Sequence, residues 1–187
     1  MGSEIGRVAV VGAGVIGSGW AARFLGAGLN VDAWDPAPDA RSKAFAAIDA
    51  AWPAMARRGM AAGASPSRLT FHERLEDCVA GADFVQENAP EREELKQELL
   101  ARIDAANPEA VVASSTSGLL PTLLAAKMAR PERMLVGRTA CSCGHHQTWR
   151  CHCGAVTYGP KLRDRCRLLP QAEACGTKST IRARRGA

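Results

Sequence analysis

Short β-branched runs alternate with longer amphipathic or alanine-rich stretches along the first 137 residues. Arg7–Val11 (RVAVV) is almost wholly apolar and runs into a glycine, the pattern of a parallel strand buried on both faces. Gly12–Gly17 turns the chain, and Gly19–Leu25 predicts a helix stopped by Gly26 and Gly28. Asn30–Trp34 predicts a second strand, closed by Asp35-Pro36. The alanine-rich stretch Asp39–Met60 predicts a helix interrupted at Pro53 and stopped near Gly63. A third strand is expected at Arg68–His72, a helix at Leu75–Ala80 and a fourth strand at Asp83–Glu87. Within Arg92–Ala106, Leu95, Leu99, Leu100 and Ile103 recur at helical spacing. Ala110–Ser114 predicts a fifth strand, Pro121–Ala129 a helix, and Met134–Val136 the start of a sixth strand. Such alternation predicts an α/β fold, a doubly wound parallel sheet with right-handed crossovers, over residues 5–137.

Composition changes this picture at one place. The 187 residues carry a net charge of +5 and are 47% hydrophobic, as in an ordinary globular chain. Up to residue 137 there are 14 Lys and Arg against 17 Asp and Glu; from 138 to 187 there are 10 against 2. Six of the seven cysteines and three of the four histidines also lie in that second segment. It has only five Val, Ile or Leu residues, too few to assemble a core. The expectation is a Cys- and Arg-rich tail over 138–187 that is poorly ordered rather than a folded domain. Its composition is also what GC-rich coding DNA yields when read out of frame. No run approaches the roughly 18 apolar residues of a membrane span, and no secretory signal is legible. A cytoplasmic location, with reduced thiols, is therefore expected.

The candidate chemistry begins at Gly12-Ala13-Gly14-Val15-Ile16-Gly17. A GxGxxG pattern directly after a strand and opening a helix is the context in which glycines serve a dinucleotide. Gly12 permits the tight turn, Gly14 lets the backbone approach a pyrophosphate, and Gly17 lets helix and strand pack closely. Val15 and Ile16 lead into the helix N-terminus, whose N–H groups and partial positive charge suit phosphates. Asp35 ends the second strand, about 20 residues on, where a carboxylate accepts from the ribose hydroxyls and repels a 2′-phosphate. These features predict a Rossmann domain that takes NAD in preference to NADP. A structural glycine turn beside a surface aspartate is the bland alternative.

Two further stretches carry a resemblance. Phe84-Val85-Gln86-Glu87-Asn88-Ala89-Pro90-Glu91-Arg92 and Ser114-Ser115-Thr116-Ser117-Gly118-Leu119-Leu120-Pro121 resemble the 3-hydroxyacyl-CoA dehydrogenase family. The wording SSTSGLLP, with Trp20 and Pro131-Glu132-Arg133, is most similar to the branch that oxidises L-carnitine. The resemblance spans residues 7–137. It implies NAD-dependent oxidation of an L-3-hydroxy acid or 3-hydroxyacyl thioester by hydride transfer, on a small-molecule substrate. It implies that Glu91 and Lys96 sit beside the nicotinamide end of the cofactor, and that Ser117 hydrogen-bonds the substrate oxygen. On residue type alone, Glu91 and Lys96 could equally serve a solvated helix start, and Ser117 a turn or cap.

The pattern breaks after Gly137. The family places its histidine general base where this chain has Arg138, and a guanidinium stays protonated and cannot take a proton. The family's orienting glutamate and C-terminal helical domain, with its dimer contacts, find no counterpart either. A non-catalytic NAD-binding remnant is therefore the alternative function. The tail's Cys141, Cys143, His145, His146, Cys151, His152 and Cys153 could supply zinc ligands, but C-x-C spacing without an apolar shell argues against a metal site. The basic run Arg182–Arg185 lacks aromatic interleaving or a recognition module, so no specific nucleic-acid binding is expected.

Overall fold

The computed structural model describes residues 5–139 and 149–152, with the backbone alone from residue 137 onward. Among the described residues seven strands form one sheet: β1 (Arg7–Val11), β2 (Asn30–Trp34), β3 (Leu69–Phe71), β4 (Phe84–Glu87), β5 (Val111–Ser114), β6 (Met134–Thr139) and β7 (Trp149–His152). Their order is β3-β2-β1-β4-β5-β6-β7. The first six run parallel, with Val8 paired to both Val31 and Phe84, and Val112 to Met134. The chain thus winds outward from β1 in both directions, and the switch between β1 and β4 opens a crevice at their carboxyl ends.

Helices cover both faces. On one, α1 (Val15–Gly26) and α2 (Ala40–Ala56) bury Trp20, Phe24, Leu25 and Ile48 against Val8, Val10, Phe84 and Val111. Trp20 stacks on Phe24 at 5.3 Å between ring centroids. On the other, α3 (Leu75–Val79), α4 (Glu93–Ala106) and α5 (Pro121–Leu124) bury Leu75, Val79, Leu100, Ile103 and Leu124 against Val11, Val85 and Val112. Each fully buried Leu or Ile contributes about 1.5–3 kcal/mol relative to exposure. That two-sided burial explains why β1 and β5 read as continuous apolar runs.

Most expected elements form within one or two residues of their predicted bounds. Four differences have physical causes. Helix α1 starts at Val15 rather than Gly19, because Gly14 adopts an extended N-cap geometry and lets the turn pass straight into helix. Helix α2 continues through Pro53; the missing N–H deprives the Asp49 carbonyl of its helical donor, but both residues are exposed, so water can pair that carbonyl, and the helix ends three residues later at Ala56. The stretch expected as helix to Ala129 is α5 followed by a 3₁₀ turn at Ala125–Lys127. Finally, β6 extends to Thr139 and pairs antiparallel with β7, Gly137 opposite Cys151. Trp149–His152 (WRCH) does alternate apolar and polar residues, but the signal is only four residues long in a tail too poor in Val, Ile and Leu for a core; the open edge of β6 supplies its partner. The remainder of the tail, including Cys141, Cys143, His145, His146 and Cys153, lies outside the described residues.

Candidate functional site

The crevice above β1 and β4 is a cleft of about 950 Å³, bordered by the glycine turn, the end of β2, the loops after β4 and β5, and one side of α4. Gly12 leaves β1 with φ +87°, a conformation that favours glycine, and its N–H donates to the Trp34 carbonyl (2.8 Å). A Cβ there would lie 2.9 Å from the Asn88 carbonyl carbon. At Gly17 a Cβ would stand 1.8 Å from the Gly12 oxygen, so this glycine is what lets the turn close onto α1. Gly14 is different: a Cβ there meets nothing within 4 Å, and the position borders the cleft. The turn therefore reserves open space where the first glycines and the helix start converge.

Helix α1 presents its N-terminus to that space. No side chain caps it and no acidic residue lies in its first turn. Its first N–H groups have no intrahelical partner, and the helix dipole adds positive potential. Val15 is 94% exposed and Ile16 is exposed as well, so no packed side chain fills the approach. Asp35 stands beside the turn at the end of β2, accepting from the N–H of Ala13 (2.8 Å) and of Ala37 (2.9 Å). Trp34 and Pro36 flank it, facing Leu95, Leu99 and Arg102 of α4 across the cleft. A pyrophosphate at the helix start, a ribose on Asp35 and a flat base between Trp34 and the α4 leucines fit these residues.

The opposite end of the cleft holds the loops after β4 and β5. One oxygen of Glu91 accepts from Thr116 Oγ1 (2.6 Å) and from the backbone N–H groups of Ser117 (2.8 Å) and Gly118 (2.9 Å). Partial burial alone would raise the Glu91 carboxyl, but these three donors, with Lys96 nearby, hold it below the usual glutamate range. Glu91 thus fixes the loop that carries Ser117, whose side chain is exposed on the cleft wall. Gly12, Gly14, Val15, Ile16, Asp35, Glu91 and Ser117 all border this one cleft, and Gly17 supports it from behind.

Lys96 does not border the cleft. It is buried beneath the loop, where its Nζ donates to both carboxylate oxygens of Glu87 (2.8 and 2.9 Å). The same carboxylate accepts from Ser114 Oγ and the Ala89 N–H, tying the ends of β4 and β5 together. Arg138 belongs to β6, opposite Arg150 of β7; its side chain lies outside the described atoms. Cys78, on α3, is buried; burial first, and the Asp32 carboxylate second, push its thiol far above the usual range, so it offers no thiolate. Among the described residues no group of three His, Cys, Asp or Glu side chains could hold a metal.

Two features of the site escaped the sequence. Ser115 Oγ accepts from Gln86 Nε2 (2.9 Å) and Trp20 Nε1 (3.2 Å) and donates to Asn88 Oδ1 (2.6 Å), a network that joins α1 to the ends of β4 and β5 and reaches the cleft wall through Asn88 and Ser115. The Glu87–Lys96 pair was the second. Its signal was present: a glutamate in a strand buried on both faces requires a partner, and Lys96 is the basic residue one helix away.

Residues 7–138 match the family model described as "3-hydroxyacyl-CoA dehydrogenase, NAD binding domain". The L-carnitine dehydrogenase of Burkholderia mallei is 60% identical over 136 residues, and that of Streptomyces coelicolor 55% identical over 135. Each match covers 72% of this chain and 42% of the relative, so the chain spans less than half the length of these proteins. Among solved structures, the 3-hydroxybutyryl-CoA dehydrogenase of Escherichia coli superposes with a TM-score of 0.77 at 26% identity, covering 89% of this chain and 36% of that one. The (S)-3-hydroxybutyryl-CoA dehydrogenase of Ralstonia eutropha gives 0.76 at 25% identity, covering 90% and 62%. Glycine turn, acidic strand end and Ser117 loop meet in one cleft within the matched segment, and the chain belongs to the 3-hydroxyacyl-CoA dehydrogenase family through its NAD-binding domain.

Proposed function

We propose that this chain binds NAD(H) across the cleft as the cofactor-holding half of a dehydrogenase site for an L-3-hydroxy acid of the carnitine type or a 3-hydroxyacyl thioester. The convergence of Gly14, Asp35 and Ser117 on one cleft carries this reading. Bound NAD supplies hydride acceptance. The chain's own part is to seat the pyrophosphate on the α1 N-terminus, hold the ribose on Asp35, and present the Ser117 hydroxyl to the substrate oxygen. Lys96 acts at one remove, by holding Glu87 and the loop that leads to Glu91. The substrate is then a small molecule, and the cytoplasm the fitting compartment.

A second reading has its own support. Arg138 occupies the position at which the family resemblance puts the proton-accepting histidine, and a positioned general base is worth about 10²–10⁴ in rate. On that ground this chain binds NAD(H) without measurable turnover. Following NADH formation by the full chain with L-carnitine and with 3-hydroxybutyryl-CoA separates the two readings. No turnover despite NADH binding is expected; sustained NADH formation would require a base other than the residue at 138.

A further inference from the structure

Asp35 is placed to do more than meet a ribose. Its Oδ2 accepts from the Ala13 N–H, inside the glycine turn, and its Oδ1 accepts from the Ala37 N–H beyond the strand end. The other end of Ala13 is also held, because Ser18 Oγ donates to the Ala13 carbonyl (2.8 Å) from the first turn of α1. The peptides on either side of Ala13 are therefore clamped, one by β2 and one by α1. Between these clamps and α1 sits Gly14, the residue with open space beside it. An ionised carboxylate has about four acceptor positions. Two are used by the backbone, which leaves two for ribose hydroxyls without releasing either amide.

We infer that Asp35 is a positioning residue for the pyrophosphate turn as well as a ribose ligand, so that one carboxylate couples the two halves of the dinucleotide site. The inference rests on the NAD reading above for its ribose half, while the clamp on Ala13 stands on the geometry alone. It makes Asp35→Asn more damaging than the loss of a ribose contact. An amide offers one acceptor oxygen, and its NH₂ would face the N–H of Ala13 or Ala37, donor against donor.

The test uses the full chain and Asp35→Ala, which removes both acceptor oxygens so that no side-chain oxygen can keep the Ala13 N–H, with two readouts. Hydrogen exchange in the unliganded protein reports the clamp: the Ala13 amide should exchange at least about tenfold faster in the variant. Amides of Val8–Val11 serve as the control that the sheet is intact. Calorimetry with NADH and with its adenosine-2′,3′-dideoxyribose analogue reports the coupling. A carboxylate serving the ribose alone would leave parent and variant equal on the analogue. A bracing carboxylate leaves the variant about tenfold or more weaker on it, even though removing the charge relieves repulsion of the pyrophosphate. Unchanged exchange at Ala13 overturns the inference whatever the affinities do. If Ala13 responds while the parent binds no NADH, the brace stands and the NAD reading falls.

Discussion

Replacing Lys96 by Met would leave the Glu87 carboxylate buried without its cation. Lys96 is 1% exposed and Glu87 0%, so water cannot take over. At 2.8 Å the gross attraction is about 6 kcal/mol for an effective dielectric near 20. Breaking one side of a buried pair typically costs about 3–5 kcal/mol. Here Ser114 Oγ and the Ala89 N–H remain on the carboxylate, which puts the expected loss near the lower figure, about 3 kcal/mol. Against a typical total of about 5–15 kcal/mol, that is a large fraction of the fold's stability. Urea unfolding of the full chain, followed by tryptophan fluorescence, measures it. The double variant Glu87→Gln/Lys96→Met removes both charges and keeps one amide oxygen for the Ala89 N–H, with its NH₂ able to donate to the Ser114 hydroxyl, so it should recover at least about 1 kcal/mol of the summed single losses. A Lys96→Met loss under about 1 kcal/mol, or strictly additive losses in the double variant, would refute the reasoning.

The glycines separate folding from binding: Gly14→Ala should unfold within about 0.5 kcal/mol of the parent yet lose most NADH affinity, by calorimetry, because its methyl enters open cleft space. Gly17→Ala should cost at least about 2 kcal/mol in the same urea assay, since its Cβ would collide with the Gly12 carbonyl. Glu91, whose carboxyl is held below the usual value, stabilises the Ser117 loop when ionised. That contribution is complete above the ordinary glutamate pKa of about 4.3 and is lost as pH falls through the lower folded value. Amide shifts of Ser117 and Gly118 should therefore titrate only in that acidic range, and not at all in Glu91→Ala.

The parallel sheet and the succession of its elements were legible because parallel strands buried on both faces must be apolar, as Val8–Val11 and Val111–Val112 are, and because helices separate them at crossover lengths. The cofactor end of the site was legible for a similar reason: glycine at 12 and 17 answers a backbone demand that no other residue meets. Lys96 shows where the sequence misleads. Its spacing from Glu91 places both residues near one loop, but only packing reveals that its ammonium turns inward to Glu87. The Ser115 network was hidden because Trp20, the pair Gln86 and Asn88, and Ser115 lie in three separate parts of the chain, and nothing in the sequence says that their side chains meet. Strand β7 was hard to read because its alternation, Trp149-Arg150-Cys151-His152, is only four residues long and its partner is the edge of β6 rather than a core.

The central claim is that the cleft is built for NAD(H), with Asp35 selecting against a 2′-phosphate. Calorimetric titration of the full 187-residue chain with NADH and, separately, with NADPH tests it most directly. The account predicts saturable NADH binding and NADPH binding weaker by about tenfold or more, a difference of about 1.4 kcal/mol. No binding of NADH, or NADPH binding equal to it, would contradict the account.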